Sequence, residues 1–152
     1  MPIQRISIFL PLAISLPITL ATVIIHGFAI QANVHFLQHE LGLGRAGVRF
    51  WTDVAIVTGT ALVALTAHLI EIAIWGLVFI LCGEFSQLGI AIYHSATNYT
   101  SLGYGDVIMS SSWRLLGPLE TADGMLMFGV STAMIIAILQ RLVVIRFGDL
   151  DR

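Results

Sequence analysis

The sequence predicts an all-α membrane protein with three transmembrane helices, and a shorter helix and glycine-bearing loop between the second and third. Three observations carry that prediction. Of 152 residues, 57% are apolar and 11% charged, with mean hydropathy +0.93; soluble domains run near 25% charged. Stretches free of formal charge, or nearly so, recur three times, each close to the ~20 apolar residues that cross a bilayer core. One further stretch, Phe85–Asn98, is only mildly apolar. As a helix it reaches about 21 Å, short of a core about 30 Å thick, so it is expected to be re-entrant.

The same composition excludes whole classes of function. All seven basic residues are arginine, net charge is −2 and the pI is near 6.2, so there is no basic stripe for nucleic acid. The single cysteine, Cys82, rules out an intramolecular disulfide and a cysteine-rich metal site.

Taken in order, the first span lies between Arg5 and Glu40, where Ile6–Ile30 is nearly all apolar and a helix is expected over about 6–31. A signal peptide is the competing reading, with Arg5 as its basic start and Thr19-Leu20-Ala21 as a cleavage-like site. The apolar run continues past that site, longer than the usual 7–15 residues, so retention is expected. Asn33–Asp53 then forms a cytoplasmic connector in which Gly42, Gly44 and Gly47 break any long helix. Val34, Phe36, Leu37, Phe50 and Trp51 are placed to rest on the lipid interface. His35 and His39 with Glu40 imitate a helical metal pair, but a solvated loop is the expectation.

The second span covers about 54–83 and is apolar except for His68 and Glu71. The short helix comes next, at about 85–98. Gly124–Gln140 forms the heart of the third span, which extends back through Leu115–Leu119 to give a helix over about 115–146. The chain thus divides into an N-terminal helix and connector (1–53), a main domain (54–147) and a tail (148–152). With the N-terminus outside, Arg45, Arg49, Arg141, Arg146 and Arg152 lie in the cytoplasm, against Arg5 and Arg114 outside. That orientation obeys the positive-inside rule.

His68 and Glu71 sit at an i, i+3 spacing, hence on one face, and Glu120 and Asp123 repeat it. Ionisable groups at membrane depth are costly and turn toward protein or water. Two readings stand: a functional polar network, or satisfied interhelical pairs.

After the short helix comes Thr100-Ser101-Leu102-Gly103-Tyr104-Gly105-Asp106. Non-helical backbone at membrane depth is tolerated only when buried in protein or lining a water-filled cavity. Glycines two apart accept the angles needed for successive carbonyls to point one way. Such a row, with a hydroxyl, replaces the hydration shell of a cation, and the C-terminal end of the preceding helix favours positive charge. The residues point to a cation pore. One chain supplies one row of oxygens, so closed symmetry must supply the rest of the cage.

These residues resemble the potassium-channel pore signature. Gly103, Tyr104, Gly105 and Asp106 match it, Thr100 matches the threonine that commonly precedes it, Ser101 stands for threonine, and Leu102 for valine or isoleucine. Gly124-Met125-Leu126-Met127-Phe128-Gly129, followed by Thr132 and Ala133, is similar to the glycine-hinged inner helix of bacterial potassium channels. The resemblance covers about Val54 to Gln140, which makes 54–147 a pore domain with an additional N-terminal helix.

The resemblance implies a homotetramer that conducts potassium passively across a bacterial-type inner membrane, without cofactor or catalysis. Its partners are then other copies of the chain, the bilayer and potassium ions. It implies an ion-binding filter at Thr100, Ser101, Leu102, Gly103, Tyr104 and Gly105, with potassium held at Ser101–Tyr104. Tyr93 and His94 stand where many potassium channels carry a bracing tryptophan pair, beside Asp106. Met125, Phe128, Thr132 and Ile136 would face the pore, with Gly124 and Gly129 as hinge. Leu102 and His94 depart from the pattern. A weakly selective monovalent cation channel is therefore the alternative, and a non-conducting membrane subunit a further one.

Overall fold

The computed structural model describes residues 8–148. Four helices occur in order: α1 (Phe9–Gly42), α2 (Phe50–Leu81), α3 (Leu88–Tyr99) and α4 (Leu116–Phe147). Among the described residues, α1, α2 and α4 are the three helices long and apolar enough to cross a membrane. At ~1.5 Å per residue they run about 48–51 Å, beyond a ~30 Å core, whereas α3 runs about 18 Å. Hydroxyls inside α2 are satisfied locally: Thr60 and Thr66 donate to the carbonyls of Ile56 and Leu62, one turn back.

The connector between the first two spans differs from the sequence expectation. Helix α1 continues to Gly42 instead of ending near 31, and α2 begins at Phe50, so residues 43–49 alone join them. His35, His39 and Glu40 therefore lie on a helix, not in a loop. Tertiary packing accounts for the extension. Asn33 is buried, donating to the Ala29 carbonyl of its own helix and reaching the Met134 sulfur, while Leu37 and Leu41 pack against a core cluster. Both α1 and α2 then end in the same motif, with Gly44 and Gly83 at positive φ. The amides of Gly44 and Arg45 return to Leu41 and Glu40, and those of Gly83 and Glu84 to Ile80 and Phe79, as in a Schellman cap. The expectations resting on Arg5, Arg152 and the tail beyond Gly148 lie outside the described residues.

The chain folds into two compact units. The first joins the N-terminal stretch through Ile24 with His68–Met127. Its core is built on Trp75, Phe79, Tyr99 and Leu116, all fully buried, with Ala91, Met109 and Met127 around them. The second joins Ile25–Ala67 with the segment from Phe128 onward, around Ala46, Ile56, Ala64, Met134, Ile138 and Leu142.

Helix α1 is inside out by the standard of a soluble protein. Ser15, Thr22, His26 and Asn33 are buried, while Phe9, Leu16, Leu20 and Phe28 are exposed. Lipid tails are as apolar as leucine, so in a membrane helices associate through packing and polar contacts rather than through burial of apolar surface. The polar stripe is therefore the adhesive face. In the first unit Thr22 donates to Asp123 at 2.9 Å, and in the second His26 hydrogen-bonds Ser131 at 2.8 Å.

Close approach of backbones sets the place of α3. A Cβ on Gly124 of α4 would lie 2.2 Å from the Tyr99 carbonyl oxygen, and one on Gly76 of α2 would lie 3.2 Å from the Ile92 Cα. Gly124→Ala should therefore destabilise the protein by about 1–3 kcal/mol through overpacking. Gly27→Ala, on α1 with nothing within 4 Å of the added methyl, should be neutral or slightly stabilising. Melting curves of the two variants in detergent compare them; an unshifted Gly124→Ala curve contradicts the close-packed placement of α3.

Candidate functional site

Residues 100–106 begin where α3 ends, and their backbone is tied to it. The amides of Thr100, Ser101 and Gly103 donate to the carbonyls of Ala96, Asn98 and Thr97, at 3.1, 2.9 and 2.9 Å. Thr121 Oγ1 adds a bond to the Asn98 carbonyl at 2.9 Å. Helix ends leave their last carbonyls without intrahelical partners, and here the departing loop supplies donors itself.

Handedness alternates along the loop. Ser101, Gly103 and Gly105 have φ of 61, 55 and 73°, while Leu102 and Tyr104 do not take positive φ. In an extended strand successive carbonyls point to opposite sides; switching hand at every second residue cancels that alternation and can bring them to one side. Glycine takes positive φ freely, whereas Ser101 adopts it at a cost of roughly 1–2 kcal/mol. A strained residue held by its surroundings marks a place where geometry matters. The loop is exposed from Ser101 to Asp106.

Helix α3 is gripped from both sides. Ser95 lies within hydrogen-bond distance of the Ile72 carbonyl of α2, at 2.8 Å, and of the Glu120 carboxyl of α4. Tyr99 donates its hydroxyl to Glu71, and His68 Nδ1 lies 2.9 Å from that hydroxyl oxygen. His68 and Glu71 are themselves 3.7 Å apart. Glu71 and Glu120 are fully buried.

The rim of the loop is braced separately. Tyr93 donates to Asp106 at 2.8 Å, and the Val107 amide donates to the other carboxylate oxygen at 3.1 Å. His94, next along, packs its ring on Phe79 and Phe85, and its Nε2 meets Asn98. It also lines a cavity of about 210 Å³ with Gly103, Gly105 and Arg114. Farther out, Glu84 accepts from both the amide and the hydroxyl of Ser110, at 2.7 and 2.6 Å, fastening the segment after the loop to the end of α2.

The remaining residues singled out from sequence separate into distinct settings. Glu120 and Asp123, spaced to share a face, go to different partners. Asp123 accepts from Thr22 and from the Trp75 indole, both at 2.9 Å. Met125, Phe128, Thr132 and Ile136 are exposed along one side of α4. Gly124 is buried against Tyr99, whereas a Cβ added at Gly129 would meet nothing within 4 Å. Sequence reasoning missed Ser95, Trp75, Thr22 and the Glu84–Ser110 clasp. A polar Ser95 on the short helix was a readable hint; no spacing rule points from Trp75 to Asp123.

With this geometry in view, comparison with known families gives one result. Residues 67–141, from Ala67 on α2 through α3 and the loop to Arg141 on α4, match the ion-channel family model. Neither the curated proteins nor the solved structures contain a match to the chain. Over that stretch, 75 of the 152 residues, the chain is similar to the ion-channel family, and with three long apolar helices it is a multi-pass membrane protein.

The buried bond between Tyr99 and Glu71 should be measurable in stability. Tyr99→Phe removes a donor from a buried carboxyl and should cost about 2 kcal/mol. Combining it with Glu71→Leu, which removes the acceptor as well, should cost clearly less than the two single changes added together. Melting of both singles and the double in detergent reads the coupling, and strict additivity rejects it.

Proposed function

We propose that the ion-channel pore domain of this chain assembles as a homotetramer around a potassium-selective filter formed by Thr100, Ser101, Leu102, Gly103, Tyr104 and Gly105. The observation that carries this reading is the alternating handedness at 101–105. It is the backbone form a row of carbonyl oxygens needs to replace the water around an ion. One chain offers one such row, so four copies about an axis complete the cage, with potassium at Ser101–Tyr104. Conduction is passive and needs no cofactor.

Surface chemistry supports assembly. Leu102 and Tyr104 are 56% and 68% exposed, and Met125 on α4 is 62% exposed. The loop that carries Leu102 and Tyr104 is non-helical, and such backbone at membrane depth must be covered by protein or line water; a second copy meeting it would set Met125, Phe128, Thr132 and Ile136 along the pore. Helix α3 is then the re-entrant pore helix, Tyr93 and Asp106 steady the filter rim, and Glu71, Glu120 and Asp123 steady the helices behind it.

Charge supports orientation. Among the described residues, Arg45 and Arg49 lie in the connector between α1 and α2 and Arg141 and Arg146 near the end of α4, against the single Arg114 between α3 and α4. The positive-inside rule then favours the connector and the end of α4 in the cytoplasm, beneath an inner membrane, with the N-terminus outside. Leu102 favours a second reading, weak selectivity among monovalent cations, because it puts a side chain without β-branching, freer at χ1, where the signature has valine or isoleucine.

Reversal potentials of the purified protein in bilayers, under opposed potassium and sodium gradients, test both readings, alongside its mass in detergent with and without potassium. A tetramer stabilised by potassium is expected, and a non-conducting monomer overturns the proposal. Gly103→Ala should lower potassium flux by at least about tenfold, since alanine resists the positive φ. The added methyl meets nothing within 4 Å, so the fold should survive. Unchanged selectivity in that variant would falsify the filter assignment.

A further inference from the structure

In the second unit, α2 and α4 leave between them a groove of about 330 Å³. Its walls include Val54, Val57, Leu139 and Val143, with the rings of Phe50 and Phe147, and its charged lining consists of Asp53 and Arg146. The charged pair is built, not incidental. Arg146 Nη2 lies 2.9 Å from Asp53 Oδ2, and the other Asp53 oxygen accepts from the Gly47 amide at 2.7 Å. Arg146 Nε lies 3.5 Å from the Gly47 carbonyl, and its guanidinium lies 6.0 Å from the centre of the Phe50 ring. Gly47, at φ 78°, packs so closely that a Cβ would sit 2.4 Å from Ile145 Cγ2.

We propose that this groove is a binding site for an anionic phospholipid, with an acyl chain against the apolar walls and the headgroup phosphate on Arg146. The chain spans a bilayer, so the hydrocarbon available to an apolar groove on its side is a lipid tail. Charge decides which lipid. Four arginines stand against two carboxylates in the described part of this unit, and each arginine near an anionic surface contributes about 1 kcal/mol of attraction. A guanidinium has five N–H donors in a planar fork suited to phosphate, and the contacts to Asp53 and Gly47 use two of them. Asp53 thus aims the arginine and also competes for it. Free phosphate lacks the tail that the groove accommodates.

The test counts lipids retained by the purified protein in native mass spectra, from micelles doped with phosphatidylglycerol or with phosphatidylcholine. Phosphatidylglycerol should be retained in preference. Arg146→Gln should lower its retention about tenfold, the worth of one charge-assisted contact, without lowering that of phosphatidylcholine. Val143→Trp, which fills the groove, should lower both. Asp53→Asn separates ligand binding from a structural pair: releasing the arginine should keep or raise phosphatidylglycerol retention. If Asp53→Asn and Arg146→Gln lose lipid equally, the arginine acts only through its pair and the site is rejected. Equal retention of the two lipids by the unaltered protein rejects it as well. So does an assembly that retains neither while Val143→Trp prevents association, which would place a second copy in the groove. Lipid mass is read without any ion flux, so this outcome is independent of the permeation reading.

Discussion

A carboxyl group withdrawn from water is tolerated only where hydrogen-bond donors reach it, and the first unit buries three: Glu71, Glu120 and Asp123. Their donors come from other helices. Tyr99 and Ser95 of α3 serve Glu71 of α2 and Glu120 of α4, and Thr22 of α1 and Trp75 of α2 serve Asp123 of α4. Each bond therefore crosses between elements; those of Tyr99 and Ser95 fix the rotation and height of α3, and those to Asp123 tie α1 and α2 to α4. A slip of α3 by one residue would strand Glu71 and Glu120 in apolar surroundings. The glycines at 76 and 124 permit the close contact; the carboxyl groups make it specific.

The loop after α3 inherits that position. The amides of residues 100, 101 and 103 are held by carbonyls at the helix end, so the loop's first turns are set by the helix. Tyr93–Asp106 and Glu84–Ser110 hold the far side. The loop is thus fastened at both ends while residues 101–106 stay exposed. That combination, rigid support behind an open strand, lets a backbone hold positive φ at a serine rather than relax out of it. An ion site built of main-chain oxygens needs the same thing: pre-set geometry without movement at the moment of binding.

Helix α1 lies outside the stretch matched to the ion-channel family, yet its placement obeys the same chemistry. Ser15, Thr22, His26 and Asn33 are buried on it, while Phe9, Leu16, Leu20 and Phe28 face outward. Interhelical hydrogen bonds in membranes are worth about 0.6–2 kcal/mol each. A stripe of several, with Ile14, Ile18, Leu37 and Leu41 packed against the cores, gives α1 a defined seat.

The sequence by itself determined the three long apolar helices, because crossing a bilayer requires a run of apolar residues that composition displays directly. It also marked a short helix before a glycine-bearing loop, since length alone forbids Leu88–Tyr99 from crossing. Local chemistry was legible too: glycines in 101–105 announced an unusual backbone, and intramembrane Glu71, Glu120 and Asp123 announced buried polar contacts. Tertiary structure decided the rest. Glu120 and Asp123 share a spacing but reach different helices, and which donor meets a carboxyl depends on how helices far apart in sequence turn toward one another. The continuation of α1 to Gly42 was likewise invisible, because the apolar run ends near Ile30 and the polar stretch after it read as a connector until Asn33, Leu37 and Leu41 had a surface to pack against; the glycines at 42 and 44 do end the helix. Positive φ at Ser101 had no sequence signal, for serine takes it only when the helix behind and the rim ahead leave no cheaper path.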